Sequence, residues 1–388
     1  MDCQGAGLRT PEGPAVNASG GTGPPGPSPL DRSYLRKVER GLDRAFAAAD
    51  ELELDSERES IVIFSDHHRG ARDGADDFLR CEPAYCAALG YYLEAGYRLV
   101  MLGDVEELWE NDPGPALAAY RSTLDLEAAF HRAGRYYRFW GNHDDLWADA
   151  SAVDHHLGEL FPGLLVRESL KLRLARAESP PTFFFLVHGH QGTDESDRFA
   201  WFSRIVVRVV WRRIQRKAGL TGNTPAKDFE LRARHDRAMF EWARTRSPRV
   251  ILIAGHTHRP VFWTSTPPPP KVRDRGVIEQ ELREREADGD RAGVASLRAE
   301  LEFANAEERE PKRALALNPP CYFNTGCSSF GDGDVTGLEI SGGEIRLVRW
   351  PDDEGRPRAK VLASEPLTSV LREAAEPSRP AQATEIAV

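Results

Sequence analysis

Five short apolar runs constrain this chain more than any other feature: IVIF at 61–64, RLVML at 98–102, RYYRFW at 135–140, TFFFLV at 182–187 and VILIA at 250–254. They are rich in β-branched and aromatic residues and have the length of strands buried on both faces. The residues at their carboxyl ends are more specific still. In order, the strands hand over to SDHHRG, GDVEELWEND, GNHDDLW, HGHQGT and GHTHRP, so every one releases Asp, Asn or His into a loop. Segments 81–95 and 116–133 lie between strands and carry helix-like spacing, which predicts an α/β layered fold. Ligand sites of open α/β sheets gather at the carboxyl ends of strands. The five loops are therefore expected to converge.

Seven of the eleven histidines sit in these loops. Alternate residues of an extended segment share a face, so Asp66 with His68, and His256 with His258, are expected to aim into one volume. Gly103 and Gly141 permit the tight turns that bring Asp104 and Asn142 to the same place. A ligand set of Asp, His and Asn, with no Cys, suits Mn²⁺, Fe²⁺ or Zn²⁺ in an open catalytic site. Two cations held ~3.5 to 4 Å apart by a bridging carboxylate would let a bound hydroxide attack phosphorus while neutralising the phosphate oxygens. That chemistry is phosphoester or diphosphate hydrolysis.

The ordered set DxH, GDxxE, GNHD, HGH and GHTH runs from Asp66 to His258, and NTG at 324–326 adds a further element. In this it resembles the calcineurin-like metallophosphoesterases. The resemblance implies a four-layer α/β/β/α sandwich of two mixed sheets. It implies one ion held by Asp66, His68, Asp104 and His258, and a second by Asp104, Asn142, His188 and His256, with Asp104 bridging and Mn²⁺, Fe or Zn as the metal. His143 would protonate the leaving oxygen, oriented by Asp144. Within the family, Glu107, Trp109 and the full GHTHRP are most similar to the UDP-diacylglucosamine hydrolase branch. Glu106 and His143 stand where that branch commonly carries Phe and Arg, so the substrate stays open between a lipid- or nucleotide-linked diphosphate and a wider range of phosphoesters.

The remaining histidines are read as ordinary. His67 is expected to be structural and His190 to stand beside the ligands, while His131, His155, His156 and His235 are read as surface residues. Between HGH and GHTH, residues 192–247 read as a helical, lid-like insertion. Arg204, Arg208, Arg212 and Arg216 recur there at four-residue steps beside apolar positions. On a helix such a stripe repels itself unless something anionic offsets it. Arg204, Arg208 and Arg212 are therefore candidate substrate contacts, with Arg259 of GHTHRP a further candidate, and the stripe is a candidate for peripheral membrane contact. VTGLEIS and EIRLVRW, joined by Gly342 and Gly343, form a hairpin signal.

Residues 1–31 and 363–388 read as disordered tails around a domain at 32–362, and 265–318 as a charged, proline-led insertion. Acidic residues outnumber basic ones, 61 to 51, for a net charge of -10, which argues against general nucleic-acid binding. Five cysteines without regular spacing read as reduced thiols. With neither a signal-like segment nor a long apolar run, a soluble cytoplasmic enzyme is expected. A catalytically inactive scaffold of the same fold would have little physical reason to keep His143, and a DNA nuclease would need a broader basic groove.

Overall fold

Ile61 and Ile63 face one way from the first expected strand while Val62 and Phe64 face the other, and all four are buried. A computed structural model of the chain describes residues 32–73, 76–174, 183–192, 225–246, 249–263, 282–283, 285, 313–330, 333–351, 358–375 and 382–387. All five apolar runs are strands: β2 (Ile61–Phe64), β3 (Arg98–Leu102), β4 (Tyr136–Phe139), β7 (Phe183–Val187) and β8 (Ile251–Ala254). β2, β3 and β4 pair in parallel. They belong to a seven-stranded sheet with β12 (Val335–Ser341), β13 (Glu344–Trp350), β14 (Lys360–Pro366) and β5 (Val166–Arg167). β7 and β8 pair in parallel inside an eight-stranded sheet. Its other strands are β1 (Asp50–Leu54), β6 (Ser169–Leu174), β9 (Pro260–Val261), β10 (Arg313–Asn318), β11 (Tyr322–Thr325) and β15 (Gln382–Ala387). Both sheets are mixed.

The strand alternation sorts side chains into three cores. Ile61, Ile63, Val100, Leu102, Leu338 and Ile340 meet Leu170, Phe184, Leu186, Ile251, Ile253 and Phe323 between the sheets. Val62, Phe64, Leu99 and Met101 pack outward with residues of α2 (Glu82–Glu94), α4 (Arg121–Arg132) and α5 (Ala150–Leu157). Phe185, Val187, Leu252 and Ala254 pack outward with residues of α1 (Arg32–Ala48) and α6 (Pro225–Thr245). The result is the expected four-layer α/β/β/α sandwich. No described helix is long and apolar enough to cross a membrane.

Four boundaries differ from expectation. The helix expected at 116–133 is two, α3 (Pro113–Ala119) and α4, because Tyr120 leaves helical geometry between them and places its ring in the core. The described residues of 363–388 are no tail. α7 (Leu367–Ala375) buries Leu367, Val370 and Ala374 in the inter-sheet core, a helical stripe at i, i+3 and i+7, and β15 pairs antiparallel with β10. β10 also ends the charged insertion at residue 312 rather than 318. Within the lid-like insertion, α6 is a layer of the sandwich, with Ala238, Met239, Phe240, Trp242 and Ala243 buried. Residues 1–31, most of the charged insertion, and Arg204, Arg208, Arg212 and Arg216 lie outside the described residues.

Candidate metal centre

The loops after β2, β3, β4, β7 and β8 meet at the carboxyl ends of both sheets. Asp66, His68 and His258 form one cluster of ligand atoms, and Asp104, His188 and His256 another, each with its atoms within 4.8 Å of one another. His68 Nε2 lies 3.1 Å from His258 Nε2 and 3.9 Å from both Asp66 Oδ1 and Asp104 Oδ2. His188 Nε2 lies 3.0 Å from Asp104 Oδ2 and 4.0 Å from Asp66 Oδ1. Asp104 thus stands between the clusters, close to histidines of each.

The convergence is achieved differently from the strand alternation expected. Asp66, His68, Asp104, His256 and His258 all have left-handed backbone, with φ between 50° and 68°. The strands have ended, and each loop curls its ligands inward. Two glycines make room. A Cβ on Gly103, which has φ 85°, would sit 2.7 Å from the His188 ring, and one on Gly141 would collide with Asp104 Oδ1.

Main-chain amides hold the carboxylates. His256 N donates to Asp66 Oδ2 at 2.9 Å and His143 N donates to Asp104 Oδ1 at 2.8 Å. His188 Nδ1 donates to Leu102 O at 2.8 Å, which fixes its tautomer and turns Nε2 to the cluster. Asn142, buried beside Gly141, has an Oδ1 that takes no hydrogen bond among the described residues. The NTG element is a brace: Asn324 Nδ2 donates to Gly255 O at 2.6 Å, and Thr325 Oγ1 is 2.6 Å from Ser65 Oγ, which itself bonds Asp66.

Burial opposes charge on Asp66 and Asp104. The neighbouring imidazoles, led by His258 for Asp66 and His188 for Asp104, outweigh it and hold both carboxyls well below the usual range. Burial likewise lowers His188, but Asp104 pulls it up to about 9. Burial prevails at His258, lowered to about 4. Two ionised carboxylates, an amide oxygen and four imidazoles in one buried volume are a donor set for two divalent cations, and they fit.

His143 joins His68 and Asp104 in a third cluster and stacks on Trp109 with ring centroids 3.9 Å apart. Its Nδ1 lies 2.7 Å from Glu107 Oε2 and 2.9 Å from Oε1. Glu107 Oε2 also sits 3.1 Å from His68 Nδ1. Burial raises the Glu107 carboxyl, but His143 and then His68 bring it down to about 2. This corrects the role expected of Asp144. That carboxylate accepts from the amides of Gly141 at 2.6 Å, Val105 at 2.9 Å and Asp104 at 3.3 Å, so it ties two loops together while Glu107 orients the imidazole. Burial, with Asp104 and Glu106 close by, raises Asp144 to about 7. The spacing that places Glu107 three residues after Asp104 was the available signal.

The loops on this side rest on buried charge. Arg138 pairs with Glu106, which also accepts from Trp147 Nε1 at 2.9 Å. Arg69 pairs with Glu127, which accepts from the hydroxyls of Tyr85 at 3.1 Å and Tyr136 at 2.9 Å. His67 is buried edge-on to Tyr85, a packing residue as expected. His190 lies tilted against Trp140 beside His188 and belongs to none of the clusters. His155 is exposed, and His131 and His156 are half-buried. His235 is not a surface residue: α6 buries it against His256, with ring centroids 5.2 Å apart. Arg259 is buried too, and its charge acts to lower the Asp236 carboxyl.

No protein-family model and no curated protein matches the chain. Among solved structures, it is similar to a conserved uncharacterised protein of Streptococcus pneumoniae TIGR4 described as a predicted phosphoesterase. That match has 12% identity and a TM-score of 0.28, over 78% of this chain and 97% of the other. It is also similar to Vacuolar Protein Sorting 29 of Cryptosporidium parvum, at 10% identity and a TM-score of 0.32, over 79% and 98% of the two chains. Scores this low have no bearing on function. The chemistry must come from this chain's own residues.

Proposed function

We propose that this chain is a dinuclear metal-dependent phosphohydrolase that cleaves a phosphoester or diphosphate bond. The observation that carries the reading is the meeting of four loops, drawn from two different sheets, in two ligand clusters with Asp104 between them, while the loop after β4 adds His143 in a third. Asp66, His68, Asp104 and His258 would hold one ion, and Asp104, Asn142, His188 and His256 the other, with Mn²⁺ as the metal to test first. Bound there, the ions supply charge neutralisation on phosphate oxygens and a lowered pKa for water. The chain's own residues do the rest. His143 hands a proton to the leaving oxygen, Glu107 holds its Nδ1, and Trp109 covers its face.

Half-buried Trp109 beside the proton donor supports a substrate with a bulky apolar or aromatic portion beside the cleaved phosphate, such as a nucleotide- or lipid-linked diphosphate. Four free cysteines among the described residues are consistent with work in the cytoplasm. The test is hydrolysis of a generic phosphodiester and a phosphomonoester by metal-stripped protein supplied with Mn²⁺, beside His143→Ala. The variant should keep its metal and lose roughly 10²- to 10⁴-fold in turnover. Wild-type protein that binds no divalent metal would sink the reading.

A further inference from the structure

α6 brings His235 to the back of the site, where its two ring nitrogens have separate duties. Nε2 lies 2.6 Å from the carbonyl oxygen of Gly189, which can only accept, so Nε2 carries the hydrogen. Nδ1 must then accept, and the Tyr34 hydroxyl of α1 donates to it at 2.6 Å. The Arg234 guanidinium lies 3.9 Å over the Tyr34 ring and fixes the phenol in turn.

Both contacts of the ring matter to the second cluster. Gly189 directly follows His188, and its φ of 120° suits glycine alone. A Cβ there would sit 3.2 Å from the Cβ of His256. His256 is packed edge-on between His235 and His188, with ring centroids 5.2 Å away on either side. α1 closes the loop from outside: a Cβ on Gly41 would meet Gly192 N at 2.6 Å. His235 belongs to none of the ligand clusters, yet it touches the loop of one histidine ligand and the ring of the other.

We propose that His235 is a positioning residue for the second metal subsite: its Nε2–H fixes the His188 loop through Gly189, and its ring edge fixes His256. The inference rests on the dimetal reading above. It is tested on the full chain, stripped of metal and titrated with Mn²⁺ by calorimetry, with electron paramagnetic resonance to tell a coupled pair of ions from an isolated one. Wild-type protein should bind two ions and give the coupled spectrum. His235→Ala should weaken one site tenfold to a hundredfold, on the order found for groups that orient metal ligands. Half-filled protein should then show isolated Mn²⁺, with the other site unchanged. His235→Gln, whose amide can still donate to Gly189, should recover most of the affinity. Tyr34→Phe deletes one hydroxyl and should weaken the same site by a smaller factor.

Unchanged affinity at both sites in His235→Ala would overturn the proposal. So would equal weakening of both sites together with a lowered melting temperature of the metal-free protein, which marks a purely structural role. Should wild-type protein bind no Mn²⁺, the dimetal reading fails first and the proposal falls with it.

Discussion

The two sheets pin their ligand loops by opposite means. On the seven-stranded side, the loops after β2, β3 and β4 rest on ionic contacts, with Arg138 on Glu106, Arg69 on Glu127, and Asp144 collecting three amides. On the eight-stranded side, the loops after β7 and β8 are held mainly by hydroxyl, imidazole and amide groups: Tyr34 to His235, His235 to Gly189, Thr257 and Tyr322 to Asp236, and Asn324 to Gly255. Buried ion pairs are intolerant of losing one partner, because the other is left as an uncompensated charge. Single hydrogen bonds fail by smaller steps. One half of the site is expected to fail all at once, the other by degrees.

The comparison breaks most sharply at Arg138. Arg138→Met leaves the Glu106 carboxylate buried without its cation and should cost about 3–5 kcal/mol in denaturant unfolding. A cost under about 1 kcal/mol, the scale of an ordinary hydrogen bond, would show that the two sides do not differ in kind.

Asp236 probes the other side through pH. Burial raises its pKa from 3.8 to about 6, so the folded state binds its proton more tightly than the unfolded chain does. The stability this gives is complete below pH 3.8 and is lost as pH rises through about 6, a loss of roughly 3 kcal/mol. Thr257 Oγ1 and Tyr322 OH both donate to Asp236 Oδ1, at 2.9 and 2.8 Å, and an amide oxygen accepts equally well. Asp236→Asn should therefore match wild type at low pH and exceed it at pH 8. Parallel stability profiles for the two proteins would remove Asp236 from the account.

The smallest of these effects is expected at Glu107, which joins the His143 imidazole to His68. Glu107→Gln keeps the shape and loses the charge, and should lower Mn²⁺ affinity and turnover about tenfold to a hundredfold with little change in folding. Asp144→Asn serves as its contrast. If Asp144 acts on loop geometry, its variant should lower the melting temperature, whereas Glu107→Gln should not.

The layers and the ligand positions were legible because each needs only a few consecutive residues. An apolar run ending in Asp or His states both a strand and its loop, as in IVIFSDHH. What was not legible lies between residues far apart in sequence. Tyr34 and His235 are 201 residues apart, and nothing in the sequence around either of them announces the other. Glu107 was visible as a residue of interest, but its choice over Asp144 depends on which way two loops curl. β15 and α7 were missed because a short, weakly apolar tail gains its order from tertiary partners, and local composition cannot report those.

Of the six described non-glycine residues with left-handed backbone, five are proposed metal ligands, Arg72 being the exception. For residues other than glycine that conformation costs on the order of 1–2 kcal/mol each. The proposed centre is thus a place where backbone stability and ligand placement pull apart. A glycine at any of the five would relax the chain and delete a ligand, so a search for thermostable variants that ignored metal binding would tend to erase the site first.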